Sequence, residues 1–201
     1  MDLIIASNNQ GKIREIKAIL APYFDKVLSL KDAGVEIDVE ETGATFYENA
    51  LLKAAAIYDV VKTAVISDDS GICVKALGGA PGVFSARYAG QHGDDTANNM
   101  KLLDELKKAG AVTNEQRAAY FESAVVLYIS PEKVICGEGR THGYILDKFT
   151  GSGGFGYDCI FFSNDLKMSF GLAGADDKNR VSHRARAITE TVNKFLMSGG
   201  I

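Results

Sequence analysis

Tyr120-Phe121-Glu122-Ser123-Ala124-Val125-Val126-Leu127-Tyr128-Ile129 is the stretch that decides the fold. Aromatic and β-branched residues dominate it, and these fit a pleated, half-buried surface, so it predicts a strand. Ser130-Pro131-Glu132-Lys133 reads as a turn, and Val134 to Tyr144 returns beside the first strand as a hairpin.

Upstream of this hairpin, short elements alternate. Leu3-Ile4-Ile5-Ala6 is an apolar run too short for a helix and predicts a buried strand. Ser7-Asn8-Asn9-Gln10-Gly11 is a cluster of turn and capping residues, and Ile13, Ile16, Ile19 and Leu20 follow at helical spacing until Pro22. Ile37 and Val39 alternate with Glu36, Asp38 and Glu40, the pattern of a half-exposed strand. Thr45-Phe46-Tyr47-Glu48 has the form of a capping box and opens an Ala-rich helix to Tyr58. Ala64-Val65-Ile66 predicts a strand that ends in an acidic turn, Ser67-Asp68-Asp69-Ser70-Gly71, before Ile72-Cys73-Val74 resumes an extended pattern. Leu77 to Gly93 is a glycine-rich loop, and Asp94 to Ala109 is helical with Met100, Leu103 and Leu106 on one face. Downstream, Thr150 to Asp158 is dense in glycine and Ile160-Phe161-Phe162 is a short buried strand. Val181, Ala185, Ile188, Val192 and Phe195 mark the last helix. Early alternation plus a central hairpin predicts an α/β fold with a mixed sheet flanked by helices, not an all-parallel one.

The composition bounds the function. At 201 residues, 46% hydrophobic and 24% charged, the chain is an ordinary globular sequence long enough for a substantial core. A net charge of -4 argues against a bulk grip on nucleic acid, though not against one small anion. Cys73, Cys136 and Cys159 are scattered and form no C-x-x-C pair, which argues against a disulfide framework or a zinc site and suits a reducing cytoplasm. No run approaches a membrane span and the N-terminus lacks a secretory pattern, so the expectation is a cytoplasmic protein without membrane contact.

Four constellations could carry chemistry. Ser7-Asn8-Asn9-Gln10-Gly11-Lys12 lies between a strand and a helix N-terminus, where backbone amides, the helix dipole and Lys12 favour an anion; the plainer alternative is a helix cap with a solvated lysine. The acidic set Glu40, Glu41, Asp68 and Asp69 offers the few carboxylate oxygens that magnesium takes, and Glu41 and Asp69 close neighbouring strands; alternatively Asp68-Asp69-Ser70-Gly71 is only a turn. Gly151, Gly153 and Gly156 match G-x-G-x-x-G, but they lead into a strand instead of a helix, which rejects a dinucleotide fingerprint. That loop is better read as one that lets backbone approach a ligand, with Phe155 against a purine and Asp158 either holding the loop or accepting a hydrogen bond from the ligand; otherwise Phe155 and Tyr157 are core residues. Lys178 with Ser182-His183-Arg184 is a cationic group around the start of the last helix, where positive charge opposes the macrodipole. It suits a phosphate or carbonyl acceptor, against the alternative of a solvated helix start.

Together these residues resemble the inosine triphosphate pyrophosphatase family, the bacterial dITP/XTP pyrophosphatases that remove non-standard purine nucleotides. The resemblance runs through Ser7-Asn8-Asn9-x-Gly11-Lys12-x-x-Glu15, Glu41-Thr42-Gly43-x-Thr45-Phe46-x-Glu48-Asn49-Ala50-x-x-Lys53-Ala54 and Asp68-Asp69-Ser70-Gly71. It continues through Gly78-Gly79-x-Pro81-Gly82-x-x-Ser85-Ala86-Arg87-Tyr88, Gly153-Gly154-Phe155-Gly156-Tyr157-Asp158, Lys178 and Ser182-His183-Arg184. It implies residues 1–201 as one domain of two lobes with an active-site cleft between them, a homodimer, and magnesium-dependent hydrolysis of a purine triphosphate to the monophosphate and pyrophosphate. It implies Asp69 as proton acceptor and metal residue with Glu41 on the same metal. Lys12, Lys53 and Lys178 would hold phosphates, Phe155 would stack on the base, and His183 with Arg184 would read the 6-oxo edge. Ser7, Asn8, Asn9, Gln10, Gly11, Ser70, Gly156, Tyr157 and Asp158 complete the implied substrate contacts. The chain departs from the family pattern at Ser7-Asn8, at Cys159, where proline is usual, and at Leu172, where glutamate is frequent. These departures are expected to alter loop rigidity or rate.

Overall fold

The computed structural model describes residues 2–199. Seven strands, β1 (Asp2–Ile5), β2 (Lys26–Ser29), β3 (Ala64–Val74), β4 (Ala118–Ser130), β5 (Lys133–Ile145), β6 (Phe161–Ser163) and β7 (Met168–Ser169), form one sheet in the order β2-β1-β3-β4-β5-β6-β7. The α-helices are α1 (Gln10–Leu20), α2 (Phe46–Val61), α3 (Asp95–Lys108), α4 (Ala175–Val181) and α5 (His183–Met197). β1 pairs in parallel with β2 and β3, and β6 pairs antiparallel with β5 and β7, so the sheet is mixed, as expected. The parallel pairs need crossovers, and α1 and α2 supply them.

Chain contacts divide the molecule into two units. The first comprises Met1–Asp69, Ser123–Gly139 and His183–Ile201. Here strand alternation sends successive residues to opposite faces. Leu3, Ile5, Ala64, Ile66, Val125 and Leu127 pack with Ile13, Ile16 and Leu20 of α1 and Ala187, Ile188, Val192 and Phe195 of α5. Ile4, Ala6, Val65 and Val126 pack on the other side with Ala50, Ala54 and Ile57 of α2. The second unit comprises Ser70–Glu122 and Arg140–Ser182. Its core joins Ile72, Val74, Phe121, Ile145 and Phe161 to Leu102 and Leu106 of α3.

The sequence reading needs correction at several points. The acidic stretch Ser67 to Gly71 is no turn; β3 runs through it without a break. Residues 36–40 form no strand, although their exposure alternates as expected: Val35, Ile37 and Val39 pack on the α2-side core with no ladder partner. On α3 the buried face is Asn98, Asn99, Leu102 and Leu106, whereas Met100 is 57% exposed. Polar side chains hold that face because they satisfy loop backbone: Asn98 Oδ1 accepts from Ala89 N at 2.7 Å and Asn98 Nδ2 donates to Ala86 O at 3.2 Å. Val181 belongs to α4, which ends at Ser182 in extended conformation before α5 begins.

Candidate active site

The parity of β3 separates its two aspartates. Ile66 and Asp68 face α1 and α5, while Ser67 and Asp69 face α2, where Ser67 Oγ donates to Ala50 O at 2.6 Å. Asp68 is 1% exposed and gathers donors from three elements: Lys12 Nζ of α1 at 2.8 Å, Arg184 Nε of α5 at 3.2 Å, and the hydroxyl of Ser123 on β4. Arg184, 1% exposed, also donates through Nη1 to Glu15. Burial alone would raise Asp68, but the Arg184 and Lys12 charges overcome it and hold the carboxyl well below its usual range. Burial likewise opposes the Arg184 charge, and Asp68 with Glu15 restores it and pushes its pKa up.

Asp69 is buried beside a different set of groups. Asn49 Nδ2 donates to its Oδ2 at 3.0 Å, and Asn49 Oδ1 accepts from Gly43 N at 2.8 Å, so one amide ties the segment after Glu41 to the aspartate. Thr45 and Glu48 complete the expected capping box, which fixes where α2 starts and so where Asn49 and Lys53 project. Lys53 Nζ lies 2.6 Å from Glu41 Oε1, 3.0 Å from Asp68 O and 3.7 Å from Asp69 Oδ1. Burial is the largest influence on Asp69 and raises its pKa above the ordinary carboxylate value, against the pull of Lys53 and Lys12. Burial would lower Lys53, yet Asp69 and Glu41 outweigh it and raise its pKa.

These groups fit a divalent cation. The Lys53 ammonium acts as a stand-in ion held by three oxygens, two from carboxylates. Among the described residues no group of three or more His, Cys, Asp or Glu side chains is arranged to hold a metal.

The opening loop is both cap and cation carrier. Asn9 is the N-cap of α1, with Oδ1 accepting from Lys12 N at 3.0 Å, and Asn9 N donates to Ser7 Oγ at 3.2 Å. Asn8, Asn9 and Gln10 are exposed, Ser7 is half-buried and Gly11 is buried. Lys12 is not the solvated lysine of the plainer reading: its ammonium bonds the Asp68 carboxylate. Nor are His183 and Arg184 a solvated helix start, since both are buried.

The second unit gathers the remaining residues. Asp158, buried, accepts from Phe155 N at 2.9 Å and from Lys178 Nζ at 2.5 Å, and that ammonium lies 4.7 Å from the Phe155 ring centre. Asp158 thus ties the glycine loop to α4, and the ammonium makes a cation–π contact with Phe155. Gly156 is held from both sides, its N–H donating to Asp95 Oδ2 at 2.7 Å and its carbonyl accepting from Asn99 Nδ2 at 2.8 Å. Tyr157 is a core residue whose hydroxyl donates to Ser85 O at 2.8 Å, whereas Phe155 is half-exposed. Ser70, next to Asp69 in sequence, is half-buried. Gly154 has φ +74°, and a Cβ there would overlap the Asp158 carboxylate. Gly154→Ala is therefore expected to cost about 1–3 kcal/mol in urea unfolding, and an unchanged midpoint would show that the loop absorbs the methyl group.

Sequence reading did not single out Glu15, Asn49, Asp95, Asn99 or Ser123 as parts of these clusters. Glu15 and Asn49 stand in the quoted motifs, which was the available signal. Asp95, Asn99 and Ser123 had none, because their partners lie far off in the chain.

The Ham1 family model matches residues 3–194. The chain belongs to the Ham1 family. Among its relatives are the dITP/XTP pyrophosphatases of Clostridium perfringens, 45% identical over 92% of each chain, and of Bacillus subtilis, 46% identical over 97% of this chain and 96% of that one. The Staphylococcus aureus Ham1 protein superposes with a TM-score of 0.83 at 39% identity, covering 99% of this chain and 100% of that one. Within this Ham1 chain the departures noted from sequence fall outside the Asp68 and Asp69 clusters: Leu172 is exposed and Cys159 is half-buried. No helix among the described residues is long and apolar enough to cross a membrane.

Proposed function

We propose that this Ham1 chain hydrolyses non-standard purine nucleoside triphosphates, dITP, ITP and XTP, to the monophosphate and pyrophosphate with Mg2+. One observation carries the reading of the site: Glu41 and the buried Asp69 converge on a single cation, the Lys53 ammonium. The names of the relatives support the substrate class.

Glu41 and Asp69 would hold the metal, which supplies positive charge to the phosphate oxygens. Asp69 orients a water and takes its proton as the water oxygen forms a bond to the α-phosphorus. The bond from that phosphorus to the bridging oxygen breaks, and pyrophosphate leaves with the electron pair. Lys12 and Lys53 stabilise the charge that develops on the phosphates, with Ser7, Asn8, Asn9, Gln10, Gly11 and Ser70 lining the phosphate end. Phe155 offers its ring to the base, with Gly156, Tyr157 and Asp158 supporting that contact; Lys178, expected from the resemblance to hold a phosphate, has its ammonium on Asp158 and over the Phe155 ring. His183 and Arg184 favour a 6-oxo acceptor over a 6-amino donor, because a guanidinium only donates.

The test is pyrophosphate release from ITP, dITP, XTP, GTP and ATP, with and without Mg2+. Rapid, Mg2+-dependent release confined to the first three is expected. Preference for a pyrimidine or another modified nucleotide would move the substrate class, and binding without release would make the chain a nucleotide-binding module. Arg184→Ala is expected to lower turnover of ITP more than the residual turnover of ATP. Since Arg184 also bonds Asp68 and Glu15, equal losses on both would assign it to structure alone. The same reading includes a homodimer in the cytoplasm, which light scattering of the purified protein tests for the dimer.

A further inference from the structure

Lys53 is placed among oxygens as a metal ion would be. Its ammonium has Glu41 Oε1 at 2.6 Å, Asp68 O at 3.0 Å and Asp69 Oδ1 at 3.7 Å. Two of those oxygens belong to the carboxylates assigned above to the metal. The side chain is 13% exposed, so water screens it little. A divalent ion bonded to Glu41 and Asp69 would bring its own charge within a few ångströms of this ammonium, a repulsion that partial burial makes costly. Apart from the neutral Asp68 carbonyl, phosphate oxygens are the partners that substrate would bring to this ammonium.

We propose that Lys53 is the resident counter-cation of the Glu41–Asp69 pair and that it and the divalent metal exclude each other from that pair. The metal then loads well only together with a polyphosphate that draws the Lys53 ammonium onto itself. The inference rests on the metal site proposed above. It gives Lys53 a task besides phosphate binding: its one positive charge offsets part of the repulsion between the two carboxylates and holds Glu41 near Asp69 until substrate arrives. It also makes metal and nucleotide binding mutually reinforcing, and such coupling is reciprocal.

The experiment uses Mn2+ as the probe, with the free ion read by its paramagnetic resonance signal and no turnover required. Wild type is expected to bind Mn2+ weakly by itself, and Lys53→Met, similar in length but uncharged, about tenfold or more tightly, about 1.4 kcal/mol. Lys53→Gln should change in the same direction and Lys53→Arg should stay near wild type, which keeps the test open if one variant folds poorly. Glu41→Gln combined with Lys53→Met should lose the gain. A non-hydrolysable ITP analogue should tighten Mn2+ binding in wild type and do so less in Lys53→Met. Equal Mn2+ affinity in wild type and both neutral variants would overturn the proposal, as would a gain that survives Glu41→Gln. Failure of the metal assignment itself shows separately, as pyrophosphate release that needs no Mg2+.

Discussion

Asp69→Asn is expected to lower pyrophosphate release from ITP, assayed with Mg2+, by about 10²–10⁴-fold, with an unfolding midpoint close to wild type. The amide keeps the shape of the side chain and its contact with Asn49, so folding has little reason to change. What it loses is the capacity to take a proton and the charge that faces Lys53 at 3.7 Å. Burial is the first influence on Asp69 and raises its pKa, while Lys53 and Lys12 pull it down. Initial rates over a range of ITP concentrations check the expectation. Near-normal turnover in Asp69→Asn would remove the assignment of the base.

Asp68→Ala is expected to do the reverse, costing about 3–5 kcal/mol of stability because two buried or half-buried cations lose a shared partner. Lys12 at 2.8 Å and Arg184 at 3.2 Å would be left with Glu15 alone among the carboxylates that hold this group together, and the Ser123 hydroxyl would lose its acceptor. Urea unfolding followed by circular dichroism measures the loss, and a change below about 1 kcal/mol would mean that the network is dispensable. The pH dependence has a definite sign. Asp68 is depressed in the folded protein, so its contribution is complete above the ordinary carboxylate pKa of about 3.9 and fades as the pH falls below it. Wild type and Asp68→Asn should therefore converge in stability under acid and diverge towards neutrality.

Most elements were legible because their local signals agree with their environment. Tyr120 to Ile129 is a strand by composition and by position, and Thr45 to Glu48 caps α2 by chemistry alone. Asp68-Asp69-Ser70-Gly71 was misread because its residues have low strand propensity, and only distant partners make a strand there affordable. Arg184 reaches Asp68 from 116 residues away, which no local window can register. Residues 36–40 erred in the other direction: alternation reports which side chains are buried, not whether a neighbouring strand exists to accept the backbone hydrogen bonds. β2, with only Lys26 to Ser29, was too short to stand out, and its partner β1 defines it. The motifs name candidate site residues one by one. Which of them hold one another was not legible, and that is what separates Asp68, bonded to Lys12, Arg184 and Ser123, from Asp69, bonded to Asn49.

The unbroken course of β3 has one more consequence. With β1 and β3 paired at Leu3↔Ala64, Ile4↔Val65 and Ile5↔Ile66, the division of labour between the two aspartates is a matter of odd and even. A single residue inserted between that pairing and Asp68 would turn Asp68 towards α2, into the place of Asp69, and carry Asp69 to the opposite face one step beyond the ionic knot, so that Lys12 and Arg184 would lose their carboxylate. Two inserted residues would restore the facing but carry both groups about 7 Å along the strand, away from their partners. Which face each aspartate meets thus depends on a count, set near the start of the chain where three apolar pairs lock the ladder in step.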